Sequence, residues 1–134
     1  MDAYEDVLNI LSHFPEVRAN FHFFVGDITI AKEAESCGYT MSFDGPITFS
    51  RDYDEVIKML PLESIMAETD APFAAPEPYR SSKMGEDGGR RPVRCEPWMV
   101  KEVVASIARI RGEDQEIVRK AMLKNAGQFF KILL

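Results

Sequence analysis

Apolar residues recur along this chain at two alternating kinds of spacing. Tyr4, Val7, Leu8, Ile10 and Leu11 return at helical intervals, with Asp2, Glu5 and Asp6 near the front, where a helix dipole favours negative charge. This predicts a helix over residues 1–13. Val17 to Val25 is alternating and then continuously apolar, a strand closed by Gly26-Asp27. Ile28 to Cys37 predicts a short helix with Gly38 as its C-terminal cap. Tyr39 to Phe43 is strand-like, and Gly45-Pro46 turns the chain. Tyr53 to Leu60 predicts a helix, with Ser50 or Asp52 as cap and Pro61 as stop. Ile65 and Met66 open a third strand that ends at Glu68-Thr69-Asp70.

Strands separated by short helices imply right-handed crossovers and a parallel sheet. After Asp70 the composition shifts. Residues 71–97 hold Pro72, Pro76, Pro78, Pro92 and Pro97, with Gly85, Gly88 and Gly89. This predicts a long irregular loop, of a length that usually carries function. A helix then runs from Pro97 to about Arg109, with Val100, Val103, Val104, Ile107 and Ala108 as its apolar face and Arg111-Gly112 as its end. The last helix runs from about Asp114 to Leu133, with Ile117, Val118, Ala121, Met122 and Phe129 on one face. No repeat at solenoid spacing is present. Three strands do not close a barrel, and a parallel strand is normally buried on both faces. The sheet therefore reads as part of something larger, or as one with a partner. The start inside a helix, with no strand before it, points the same way.

Composition narrows the class. The 134 residues suit one domain, and 46% hydrophobic with 28% charged is a globular balance. The net charge of −6 argues against coating nucleic acid through bulk charge, though not against a local site. There is no apolar run of membrane-spanning length and no basic start of a secretory signal. Cys37 and Cys95 lie far apart and form no CxxC pair, which reads as free thiols in a reducing, cytoplasmic setting.

In parallel α/β folds, sites form at the carboxyl ends of strands. His22 lies in the apolar run Phe21 to Val25, and Asp70 closes the third strand. Imidazole and carboxylate are ordinary ligands for zinc, manganese or magnesium. A core histidine held by a carbonyl and a capping carboxylate ahead of Pro72 are the bland alternatives. His13, at a helix end before Pro15, reads as a solvated histidine. Glu68 and Asp70, two apart on one strand, share a face and repel unless a cation or donors separate them. That arrangement suits a metal site in which one carboxylate supports the other. In the loop, Arg80, Lys83, Arg90, Arg91 and Arg94 nearly balance Glu77, Glu86, Asp87 and Glu96. The window from Gly88 to Cys95 is purely basic, and arginine forks suit phosphate. No Walker A, GxGxxG, HExxH or GxSxG motif is present.

The run from Glu68 through Asp70-Ala71-Pro72 to Pro78-Tyr79-Arg80 resembles the signature of the TatD family of metal-dependent deoxyribonucleases. Cys95-Glu96-Pro97 resembles the N-E-P element that follows it, with Cys in place of Asn. His22-Phe23-Phe24-Val25-Gly26 resembles another family strand end. Gly38, Tyr39, Ser42, Gly45, Ile47, Thr48 and Phe49 resemble the next block, and Asn125 with Phe129 fits the closing helix. The resemblance covers nearly the whole chain in order.

It implies a partial TIM (β/α)8 barrel of the metal-dependent hydrolase type, family members being about twice this length. Residues 1–134 would be the carboxyl-terminal half, with strands six to eight, their helices and the loop 71–97 over the site. The resemblance implies a divalent ion (magnesium, manganese or zinc, two in a complete barrel) held in part by His22 and Asp70. Asp70 would activate the attacking water, Glu68 would support the site, and Tyr79 and Arg80 would meet substrate. The remaining family ligands come from strands one, four and five and have no counterpart here. The implied reaction is hydrolysis of a phosphodiester, with single-stranded DNA as one substrate. The segment between Arg80 and Glu96 is longer than the family's compact loop. Strands six and eight would each lack a neighbour, and open edges invite association. Three expectations follow: an enzyme, active alone or complemented by another chain or copy; an inactive half-barrel that needs a partner; or a phosphate- or nucleic-acid-binding remnant.

Overall fold

Three short parallel strands carry the molecule, in the spatial order β1-β2-β3. The structure is a computed structural model, and it describes residues 2–81 and 93–132. Strands β1 (Asn20–Phe21), β2 (Thr40–Phe43) and β3 (Ile65–Ala67) alternate with helices. Helix α1 (Asp2–Ser12) precedes the sheet, α2 (Ile28–Ser36) joins β1 to β2, and α3 (Asp54–Met59) joins β2 to β3. Helices α4 (Val100–Arg111) and α5 (Gln115–Phe130) follow. The register pairs Phe21 with Met41 and Met41 with Ile65, so one face of the sheet is apolar. Phe21, Met41 and Ile65 are buried in a core shared with Phe24, Ile57 and Ile107.

The other face mixes polar side chains with Met66, which pairs with Ser42 and is buried. Asn20, Thr40 and Ser42 follow the alternate register, and Thr40 Oγ1 donates to Asn20 Oδ1 while Asn20 Nδ2 donates to Ser42 Oγ. Helix α5 reaches this face too, where Met122, Ala126 and Phe130 line a cavity with Asn20, Ser42 and Met66.

The alternation of helix and strand is as the periodicity predicts, with local differences. The strand expected over Val17 to Val25 shrinks to two residues. Phe23 sits at φ 47°, a left-handed conformation that no strand continues through, and Val17 and Val25 are exposed. Ser50 and Asp52 do not cap α3. They bond each other instead, Ser50 Oγ donating to Asp52 Oδ2, and Tyr53 takes the cap position without a side-chain bond. Pro97–Met99 forms one 3₁₀ turn before α4, which runs on to Gly112 at φ 68°. In α5 the buried line is Val118, Met122 and Asn125, with Ile117 turned to solvent. Those three stand four and three residues apart, and Ile117 lies about 100° round the helix from Val118. Leu133 lies outside the described residues. None of the described helices is long and apolar enough to cross a membrane.

Two polar side chains tie the last two helices to the carbonyls of earlier segments. Arg111 donates to the carbonyls of Ile57 and Leu60, satisfying the end of α3. Asn125 is buried, and its amide donates to the carbonyls of Leu62 and Ile65, each at 2.8 Å, holding α5 to the start of β3. Asn125→Ala leaves both carbonyls without that donor, and a loss of about 1–3 kcal/mol in urea unfolding is expected. A change below about 0.5 kcal/mol, the size of an ordinary surface substitution, would contradict this role.

Candidate functional site

Each strand delivers a titratable side chain at its carboxyl end. His22 follows β1 directly, Asp44 follows β2, and Glu68 and Asp70 follow β3. The ladder continues one step past β3, where Glu68 N donates to the carbonyl of Phe43. Glu68 and Asp70 therefore leave the sheet on the same face, and both reach across the end of β2 to the imidazole of His22. His22 Nδ1 lies 2.7 Å from Glu68 Oε2, and Nε2 lies 2.8 Å from Asp70 Oδ1. The second oxygen of Glu68 accepts from the backbone N–H of Phe23 at 2.6 Å. One carboxylate thus orients both the ring and the strained turn that presents it.

Ionised carboxylates only accept hydrogen bonds. A carboxylate at each ring nitrogen favours the protonated form of the ring. His22 is accordingly held above its usual value of 6.5, first by the hydrogen bond to Glu68, against the opposing effect of burial, and then by the charges of Glu68 and Asp70. The repulsion between the two carboxylates is answered by the imidazolium between them.

Asp44 was not among the residues that the sequence singled out. It is 3% exposed. Its Oδ2 accepts from the N–H of Asp70 at 3.0 Å, and its Oδ1 accepts from the N–H of Gly45. Burial pushes it up to about 6, against the pull of those two donors. The signal available for it was an acidic residue ending an apolar strand immediately before Gly-Pro. Gly45 has its own constraint: a Cβ there would lie 2.0 Å from the carbonyl oxygen of Ala74. The turn after β2 and the loop after β3 meet at that point, and only glycine fits.

The described parts of the loop 71–97 lie close to this end of the sheet. Phe73 N donates to Asp70 O, Glu77 N to Thr48 Oγ1, and Cys95 N to Pro72 O. Cys95 is buried against Ala75 and Met99, and burial raises its thiol. Tyr79 and Arg80, expected to meet substrate, each contact residues after β2 or after the loop. Tyr79 donates to Glu102 Oε1 at 3.2 Å and packs edge-on to Trp98. The Arg80 guanidinium lies 3.8 Å from the centre of the Phe49 ring. Arg94 is exposed, and Lys83, Arg90 and Arg91 lie outside the described residues. His13 bonds only its own helix end, through the carbonyl of Asn9 and Ser12 Oγ.

As a metal site the donors fit in kind. His22 Nε2 and the Asp70 carboxylate are already neighbours, and Glu68 on the other ring nitrogen is the partner a ligating histidine commonly has. Among the described residues no group of three or more His, Cys, Asp or Glu is placed to hold an ion.

The His22 geometry sets a pH dependence. A histidine raised in the fold contributes stability below its unfolded value of about 6.5, and that contribution is lost as pH rises through the folded value. In an NMR titration the His22 ring is expected to have a midpoint above 6.5, and Glu68→Gln is expected to lower it. An unchanged midpoint in Glu68→Gln would contradict the assignment. Asp44 is a raised carboxyl, so the fold holds a proton that the unfolded chain releases. Its contribution to stability falls as pH rises from its ordinary value of 3.8 to about 6, and its carboxyl carbon is expected to titrate near 6. A midpoint near 4, as in an unperturbed aspartate, would contradict its burial.

Comparison with known proteins identifies the family. The model of the TatD related DNase family matches residues 1–131. The chain is 33% identical to the uncharacterized metal-dependent hydrolase YabD of Bacillus subtilis, over 98% of this chain and 49% of that protein. It is 30% identical to the human deoxyribonuclease TATDN3, over 92% of this chain and 40% of that protein. Among solved structures, the TatD homologue YjjV of Escherichia coli superposes with a TM-score of 0.80 at 23% identity, covering 97% of this chain and 47% of that one. A TatD family hydrolase of Entamoeba histolytica superposes with a TM-score of 0.77 at 18% identity, covering 93% of this chain and 46% of that one. These likenesses show an α/β fold of the TatD TIM-barrel type, here with a three-stranded parallel sheet. The chain spans about half the length of the curated relatives it matches. With its family motifs, its parallel sheet and its histidine-carboxylate cluster, the chain belongs to the TatD family of metal-dependent hydrolases and deoxyribonucleases.

Proposed function

We propose that this chain supplies part of the metal centre of a TatD-type hydrolase that cleaves phosphodiester bonds, with β1, β2 and β3 standing as strands six to eight of a (β/α)8 barrel. The observation that carries the reading is the convergence of His22 and Asp70, 2.8 Å apart, from the two edges of the sheet. A bound divalent ion (magnesium, manganese or zinc) would polarise the phosphoryl oxygen and lower the pKa of a bound water. His22, through Nε2, and Asp70 would be its ligands from this chain.

The chain's own residues then have distinct tasks. Asp70 presents a carboxylate that can accept a proton from the attacking water. Glu68 holds the His22 ring through Nδ1 and leaves Nε2 to face the reaction. Asp44 holds the backbone at Asp70, fixing where the Asp70 side chain starts. Arg80 and the arginines of the basic window are the groups suited to phosphate, and Tyr79 packs behind the loop. Two donors do not complete a metal shell. β1 and β3 are also the edges of the sheet, and an unpaired parallel edge is a template for further strands. The remaining ligands would come from strands paired to those edges. Single-stranded DNA is the substrate to test first.

Hydrolysis of a chromogenic phosphodiester and of single-stranded DNA should be measured with Mg²⁺, Mn²⁺ and Zn²⁺. The chain is assayed alone and mixed with the amino-terminal half of a full-length relative. Metal-dependent turnover is expected in the mixture, and Asp70→Ala is expected to lower it by about 100-fold or more. Equal rates in the wild type and Asp70→Ala with every metal would refute the reading.

A further inference from the structure

The loop that follows Asp70 carries more exposed aromatic surface than packing requires. Phe73 is 74% exposed and Trp98 is 48% exposed. Scattered exposed aromatics are ordinary. Trp98 differs because its indole is held still. Its Nε1 donates to Glu96 Oε2, and Tyr79 packs edge-on against it with ring centres 5.1 Å apart. Tyr79 is itself anchored by its hydroxyl on Glu102. Because the polar N–H is already satisfied within the chain, the indole surface that remains exposed is π surface. A cation lies over part of it: Lys101 Nζ is 4.9 Å above the centre of the Trp98 ring and 6.0 Å from that of Tyr79, so a stacking base would displace it or use the surface it leaves open. Lys101 also pairs with Glu102 at 3.7 Å, an exposed contact that exchanges at little cost.

Position links this surface to the site. Phe73 N donates to the carbonyl of Asp70, and Cys95, three residues before Trp98, donates to the carbonyl of Pro72. A flat, anchored π surface in contact with an exposed lysine suits a ligand that is flat and apolar in one part and anionic in the next. An unpaired nucleobase on its phosphate has that chemistry. A duplex does not, because its base faces are covered by stacking.

We infer that Trp98, backed by Tyr79 and flanked by Lys101, is a stacking shelf for an unpaired base of a single-stranded nucleic acid, with Phe73 as a second ring nearer Asp70. This deepens the phosphodiester reading and rests on it. Pre-ordering of the indole lowers the cost of binding. The shelf selects unpaired strands, while charge on Lys101 adds a salt-dependent contribution that does not depend on base identity.

Trp98 is the single tryptophan of the chain, so its fluorescence reports on the shelf alone. The 134-residue chain is titrated with a short oligothymidylate in EDTA, which separates binding from cleavage. Saturable quenching is expected with the single strand and not with the corresponding duplex. Anisotropy of a labelled oligothymidylate is expected to show about 5- to 100-fold weaker binding for Trp98→Ala, and a much smaller loss for Trp98→Phe, which keeps a ring. Lys101→Ala is expected to reduce the salt dependence by about one unit of slope. Circular dichroism confirms that each variant is folded.

Absence of quenching, equal quenching by duplex, or equal affinity of wild type and Trp98→Ala would overturn the shelf. Metal-dependent cleavage of the strand with Trp98 emission unaffected would overturn it while leaving the phosphodiester reading intact. Quenching by single strands without cleavage under any metal, alone or complemented, would support the shelf and remove the catalytic reading.

Discussion

Two carboxylates two residues apart at the end of one strand repel on the same face unless a cation or hydrogen-bond donors separate them. Glu68 and Asp70 meet that constraint through His22, which bonds one at each ring nitrogen. The solution ties the first strand of the sheet to the third across the end of the second. It also explains why β1 stops so early. The chain turns sharply at Phe23, φ 47°, and the N–H exposed by that turn is taken by the other oxygen of Glu68. The strain of a non-glycine residue in that region is of order 1–3 kcal/mol, and a charge-assisted hydrogen bond is of the size needed to hold it.

A second layer keeps this cluster in place. Asp44 is buried at the end of β2 and uses both oxygens on backbone N–H groups, those of Gly45 and Asp70. The turn after β2 can come that close to the loop after β3 only because residue 45 has no side chain. Asn125 secures the opposite end of β3 from α5. The site therefore rests on paired backbone groups rather than on the long side chains of the loop. Tyr79 and Arg80, the most conspicuous polar residues after Asp70, find their partners within the loop and its neighbours.

Much of this was legible in the sequence. Helical and strand spacings alternate clearly enough to predict a parallel α/β sheet, and the motif from Glu68 to Arg80 identifies the family that the family model also matches. The shared face of Glu68 and Asp70 follows from the period of a strand. What was not legible depends on contacts between distant segments. Nothing local marks Phe23 as the end of β1, because its turn is stabilised by Glu68, 45 residues away. Asp44 is an unremarkable acidic residue until the backbone of Asp70 meets it. Ile117 and Asn125 reverse the usual preference, with isoleucine in water and asparagine buried, because the two carbonyls at the start of β3 need a donor. Arg80 has a phosphate-binding character in the motif, but Phe49 decides where its guanidinium rests.

The account stands on His22 and Asp70 acting as ligands of one divalent ion, with the hydrogen bond between them replaced by bonds to the metal. The most direct measurement is anomalous diffraction at the zinc edge from crystals of the chain grown with Zn²⁺. The account predicts a peak about 2.0–2.2 Å from both His22 Nε2 and an Asp70 oxygen, with Glu68 still on Nδ1. Zinc bound elsewhere, with the His22–Asp70 hydrogen bond intact, would contradict it.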